Sequence, residues 1–203
     1  MINGSVKSNG ELRFLARQQL KGNWGMPILV CLVYSIIMGA PNAIPVLGSA
    51  AVILISGAMT LGLTRYFIMF KRNESPIIET LFDGFKLFIP SLVLWLLFSI
   101  FTFLWSLLLI VPGIIAALAY SQAFYILNDN PQIQAMDALR QSKQMMQGYK
   151  GKFFLLGLSF IGWSLLACLT LGIGFLWLVP YIQLSMANFY EDLKSSYNGN
   201  VQR

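Results

Sequence analysis

Histidine is missing from this 203-residue chain, and charge of either sign is scarce: 14 Lys or Arg and 8 Asp or Glu, 11% of all residues. Soluble domains carry about 25%. With 57% hydrophobic residues and a mean hydropathy of +0.67, the shortage excludes an ordinary soluble globule, a disordered chain and a basic nucleic-acid binder. Without histidine, the side chain that most often moves protons near neutral pH is gone, and most enzyme readings weaken with it. Cys31 and Cys168 fall in different apolar stretches. They read as small buried apolar residues, not as a disulfide or a metal site. No catalytic residue, metal or cofactor is expected, and no enzyme.

The charges that are present fall into four segments, 1–21, 65–86, 129–152 and 191–203, separated by charge-free blocks Gly22–Thr64, Leu87–Asn128 and Phe153–Tyr190. One crossing needs about 20 apolar residues, so each block has room for two crossings and a turn. Each carries turn residues near its middle: Pro41, Asn42 and Pro45; Pro112-Gly113; Gly172-Ile173-Gly174. The expected fold is all-α, a polytopic membrane protein of six transmembrane helices in three hairpins. An even number of crossings per block puts all four charged segments on one side. The positive-inside rule makes that side the cytoplasm, with both termini there. The second legs Ile114–Leu127 and Phe175–Tyr190 are short for a core of about 30 Å. They begin earlier, thin the bilayer or form re-entrant hairpins; Pro112 fits the first turn of its helix. A cleaved signal peptide is disfavoured, because Met38 is large for the −3 position of a small-x-small site.

Short amphipathic helices are expected on the cytoplasmic side. Ser8 with Glu11 makes a capping box, followed by Leu12, Leu15, Ala16, Gln19 and Leu20 at helical spacing. Ser75-Pro76 and Asn130-Pro131 each read as an N-cap followed by proline. Behind the first, Ile78, Leu81, Phe82 and Phe85 share a face; behind the second, Ile133, Met136, Leu139, Met146 and Tyr149 do. ARQQLKGNWG (Ala16–Gly25) and SKQMMQGYKG (Ser142–Gly151) align without gaps, and Gly84 holds the equivalent place between them. The hairpins end alike in Tyr66-Phe67, Phe124-Tyr125 and Phe189-Tyr190, as expected of rings at a membrane interface. The chain therefore reads as one membrane domain, 1–203, of three parallel repeats (8–70, 75–128 and 130–193) with a flexible tail, 194–203.

No ionisable residue lies in the charge-free blocks, which argues against a proton-coupled pump or a voltage sensor. Gln122, Gln183 and Asn188 bring amides that lipid cannot satisfy. They form either interhelical packing bonds or a polar patch in a cavity; Asn42 belongs to an outer turn. Gly57-Ala58 with Leu61-Gly62, and Gly157 with Gly162, suit close helix packing within the chain. The cytoplasmic carboxylates, among them Glu79 and Asp83 near Lys86, read as a solvated face. Arg17, Lys21, Lys71, Arg72, Lys143, Lys150 and Lys152 flank the span ends. Each contributes about 1 kcal/mol of attraction to an anionic leaflet, so they are the expected lipid headgroup contacts.

ELRFLARQQLKGNWG (Glu11–Gly25), WSLLLIVPGII (Trp105–Ile115), AYSQAFYILNDNP (Ala119–Pro131) and LGIGFLWLVPYIQLSMANFYEDL (Leu171–Leu193) together resemble a bacterial membrane family, domain of unknown function 975. The chain is also distantly similar to the membrane portion of some glycerophosphodiester phosphodiesterases, whose catalytic domain has no counterpart here. The resemblance implies a multi-pass protein of the bacterial cytoplasmic membrane and no reaction. The expected role is a non-enzymatic component that binds membrane lipids or other membrane proteins, and no nucleic acid. The alternative is a carrier or channel for a lipid, peptide or neutral solute.

Overall fold

The structure, a computed structural model, describes residues 6–43 and 47–201. Among them the secondary structure is helical, with no strand. The elements are α1 (Asn9–Leu20), α2 (Gly25–Gly39), α3 (Leu47–Lys71), α4 (Phe88–Leu108), α5 (Ile110–Tyr120), α6 (Ala123–Asp129), α7 (Ala135–Met145), α8 (Lys150–Leu158), α9 (Ile161–Leu169) and α10 (Phe175–Val201). Two 3₁₀ segments, Ala40–Ala43 and Ile78–Leu87, lie between α2 and α3 and between α3 and α4.

Four stretches are long and apolar enough to cross a membrane: Gly48–Lys71, Ile78–Leu108, Ile110–Asp129 and Lys150–Leu169. A fifth arises if α1 and α2, which meet at 103°, count as one broken span. Length and composition alone do not reach the expected six, for a physical reason. The 15 residues of α2 reach only about 22 Å, and α10 carries Gln183, Asn188, Glu191 and Asp192 along its length.

The turns fall near their expected places. The first is the 3₁₀ segment containing Pro41 and Asn42; Pro45 lies outside the described residues. The second is not at Pro112-Gly113 but at Leu109, whose backbone is extended (φ −162°, ψ 150°). Pro112 sits in the first turn of α5, where its missing N–H costs nothing. Gly113 packs where a Cβ would strike Ser106 of α4, closing this hairpin. The third spans residues 170–174, with left-handed Leu171 (φ 54°) and Gly172 (φ 89°). These last two tips are bare: Leu107, Leu108, Leu109, Ile110, Val111, Leu169 and Leu171 are all strongly exposed, Leu171 at 95%. Their backbones are bonded internally, Leu109 N–H to Trp105 O, Leu171 N–H to Cys168 O and Gly172 N–H to Ala167 O. That is the condition for backbone facing lipid.

The short second leg of the second hairpin is lengthened at both ends, because α5 and α6 run almost continuously from Ile110 to Asp129. Their break at Ser121-Gln122 is patched by α7. The buried Ser142 hydroxyl accepts from the Gln122 N–H at 3.1 Å and donates to the Ala119 carbonyl at 2.8 Å. The α8–α9 break at Ser159-Phe160 is served similarly by α1, whose Arg13 Nη1 donates to the Ser159 carbonyl at 3.5 Å. The amphipathic helices thus supply polar groups to broken spans.

The capping box of α1 is present: Ser8 Oγ accepts from the Glu11 N–H at 3.2 Å and Glu11 Oε2 from the Ser8 N–H at 2.7 Å. These bonds from Ser8 hold the Glu11 carboxyl below the usual carboxylate range. The other two caps are displaced. Ser75 has φ 49° and the helical segment begins at Ile78. Asn130 closes α6, and α7 begins at Ala135 behind Gln134. The expected face behind Ser75 is also wrong, since the segment is 3₁₀ and repeats every three residues. Leu81 and Gly84 turn inward, while Phe82, Phe85 and Phe88 stack on the outside with centroids 6.5 and 6.3 Å apart.

Small residues let this segment lie against α3. A Cβ on Gly62 would meet the Leu81 carbonyl, and one on Gly84 the Ala58 carbonyl. Gly84 therefore serves close packing, whereas Gly22 (φ 86°) and Gly148 (φ 79°) serve left-handed turns after α1 and α7. A Cβ added at Gly157 or Gly162 would meet open space among the described residues, so neither marks a close helix contact there. The aromatic pairs are core, not interface anchors: Tyr66, Phe67, Phe124, Tyr125, Phe189 and Tyr190 are all buried, and Tyr125 stacks on Tyr190 at 4.9 Å. Cys31 is buried as expected, but Cys168 is exposed; both are free. Residues 194–201, expected as a tail, continue α10.

Candidate functional site

A largely apolar groove of about 280 Å³ lies where the end of α1 and the start of α2 meet α9 and α10. Its walls include Trp24, Trp163, Leu166, Trp177 and Tyr181, and one cation, Arg17, lines it. The periodicity of α1 explains the cation's position. Leu12, Ala16 and Leu20 face inward, so Arg13 and Arg17 occupy the adjoining stripe, one turn apart. The Arg17 guanidinium lies 5.7 Å from the centroid of the Tyr181 ring. A stacked guanidinium keeps its N–H edges free for a bidentate anion. At the other end of α9, Thr170 Oγ1 accepts from the Gly174 N–H at 2.9 Å and donates to the Ala167 carbonyl at 2.7 Å. These two bonds engage the Thr170 hydroxyl within the tip itself. An apolar slot with one cation beside it can hold a hydrocarbon chain that bears an anionic head.

The other basic residues are placed differently. Lys21 caps α1 and is exposed; Lys143 is exposed in the last turn of α7. Lys71 and Lys150 are half-exposed at helix ends. Lys152 donates to the Val6 carbonyl, and the neighbouring Lys7 is paired with Asp192 at 2.6 Å, which ties the N-terminal segment to α8 and α10. Arg72 is engaged by Asp129 at 2.8 Å and Glu191 at 2.6 Å. Burial works against its charge, but these two hydrogen-bonded carboxylates outweigh that and hold the guanidinium above its ordinary value.

The amides Gln122, Gln183 and Asn188 hold separate places. Gln122 is buried at the α5–α6 break, its Nε2 donating to Ser121 Oγ at 2.8 Å. Asn188 is buried on α10, its Nδ2 donating to Gln19 Oε1 at 3.0 Å. Gln183 is half-exposed on the same helix. Of the three, Asn188 makes a side-chain bond between helices, α10 to α1, while the Gln122 side chain bonds only its neighbour in sequence. A different polar cluster escaped the sequence: Asp129 accepts from Arg72, from Lys194 Nζ at 2.6 Å and from Tyr190 Oη at 2.7 Å, joining α3, α6 and α10. Its one sequence signal is position, since Asp129 and Glu191 each stand first after a charge-free block. Asp83, read as solvated, is paired with Arg65 at 3.3 Å and with Lys86 at 2.6 Å. Among the described residues no group of three or more His, Cys, Asp or Glu converges on a metal position.

A family model described as "Protein of unknown function (DUF975)" matches residues 1–119 and 107–197. No curated protein and no solved structure matches the chain. The more distant likeness to the membrane portion of glycerophosphodiester phosphodiesterases is not shown.

Proposed function

We propose, from the premise that this chain belongs to the DUF975 family of proteins of unknown function, that it is a non-catalytic component of the bacterial cytoplasmic membrane that holds an anionic phospholipid. The observation that carries this reading is the aromatic groove with Arg17 beside it. An acyl chain lies along Trp163, Leu166 and Trp177, and the phosphate meets Arg17. The bare apolar hairpin tips, the exposed Ile161, Leu165, Leu166 and Leu169 of α9, and Trp177 at the start of α10 support immersion in lipid, since soluble monomers rarely expose contiguous apolar surface of this kind. All three hairpins enter from the side of the charged segments, with both termini cytoplasmic; α2 and α10 complete the six passes as shorter or more polar legs.

Native mass spectrometry of the full chain released from phosphatidylglycerol–phosphatidylethanolamine membranes tests the reading. Retention of phosphatidylglycerol over phosphatidylethanolamine, about fivefold weaker in Arg17→Gln, is expected for one interfacial cation. No selective retention, or retention unaltered by the substitution, refutes it.

A further inference from the structure

Arg13 stands one turn before Arg17 on the same stripe of α1, a spacing that puts Cβ atoms about 5–6 Å apart. Like charges so placed repel and weaken a helix. Among the described residues no carboxylate offsets them. Arg65, Arg72 and Arg140 each pair with an acid, at 3.3, 2.6 and 3.1 Å, whereas Arg13 and Arg17 pair with none. The one acid of α1, Glu11, is turned to Ser8 in the capping box.

Arg13 is also poorly satisfied. A guanidinium carries five N–H donors. Half-buried, this one makes a single hydrogen bond among the described residues, the 3.5 Å contact with the Ser159 carbonyl, at the outer limit for such bonds. That contact fixes where it lies. Ser159 adjoins Phe160, whose ring meets Tyr181 edge-on at 5.3 Å, and the Arg17 guanidinium lies 5.7 Å from the Tyr181 centroid. The two cations therefore approach one ring pair from one helix, Arg13 at the Phe160 end and Arg17 at the Tyr181 end, where the groove is.

We infer that the lipid of this groove carries two phosphates in one headgroup, as a cardiolipin does, with one phosphate at Arg17 and the other at Arg13. The inference rests on the reading of the groove as an anionic-lipid site and adds the class of headgroup. A single phosphate leaves Arg13 without a counter-charge; two phosphates on a short linker match two cations one helical turn apart. The apolar walls favour a lipid over a soluble diphosphate, which gains nothing from Trp163, Leu166 and Trp177.

Thermal unfolding of the full chain in phosphatidylcholine nanodiscs tests the inference with three probes: phosphatidylglycerol or cardiolipin in the disc, and inorganic pyrophosphate in the buffer. Counted per phosphate, cardiolipin should reach half-maximal stabilisation at about fivefold lower content than phosphatidylglycerol, as expected for one more interfacial cation. Arg13→Gln should remove that advantage while phosphatidylglycerol still stabilises; Arg13→Lys, which keeps the charge, should retain it. Arg17→Gln should weaken both lipids. Each figure is a ratio of two lipids in one variant, so stability lost with the Ser159 bond cancels. Where phosphatidylglycerol stabilises the parent, three results overturn this inference alone: cardiolipin no better than phosphatidylglycerol, an advantage that survives Arg13→Gln, or pyrophosphate as effective as cardiolipin. If phosphatidylglycerol itself has no effect, the anionic-lipid reading fails and this inference with it.

Discussion

Asp129 shows what a single carboxylate can organise in a chain with so few charges. It receives three donors, from the ends of α3 and from α10, and stands at the end of α6. Hydrogen bonds to a charged acceptor are worth about 1.5–3 kcal/mol each when partly buried. Asp129→Asn keeps the size but removes the charge, leaving Arg72 with Glu191 and taking from Lys194 the carboxylate it pairs with. It should destabilise the chain by about 2–3 kcal/mol, read as a lowered unfolding midpoint in detergent. An unchanged midpoint would mean that the cluster is no more than a solvated surface network. Its members were legible as charges but not as a cluster, because nothing in local spacing brings residues 72, 129 and 191 together.

At the scale of elements, the charge-free blocks and their turn residues were readable, since both follow from what lipid tolerates. What could not be read was where a helix tightens or breaks. Ile78–Leu87 looks like an amphipathic α-helix until Gly62 and Gly84 allow its backbone to approach α3, and the 3₁₀ period then moves Phe82 and Phe85 outward. Likewise Ser142 reads as one more polar residue on an amphipathic helix, although it repairs the backbone of another span. Ser142→Ala strands the Gln122 N–H and the Ala119 carbonyl together. It should cost about 1–3 kcal/mol and speed amide exchange at Gln122, whereas Ser195→Ala, at an exposed bond within α10, should change neither. The groove itself was half legible: Arg17 and Trp24 stand together in the sequence, but Trp163, Trp177 and Tyr181 come from distant segments and meet them through tertiary packing alone.

For the whole molecule, the proposed topology predicts one orientation. Single cysteines placed at Lys21, Lys143 and Ser195 in a chain lacking Cys31 and Cys168 should react with a membrane-impermeant maleimide only after the cytoplasmic face is opened. A cysteine at Asn42, in the first outer turn, should react from the opposite face. Any charged segment labelled from outside would break the even-pass topology. The closest test of the lipid site uses the tryptophans already present. Of five, Trp24, Trp163 and Trp177 line the groove, so a brominated acyl chain seated there quenches most of the fluorescence at short range. Brominated phosphatidylglycerol should quench more strongly than brominated phosphatidylcholine at equal mole fraction, and Arg17→Gln should abolish the difference. Equal quenching by the two lipids in the unaltered chain, or a preference that survives Arg17→Gln, would contradict a lipid held by Arg17.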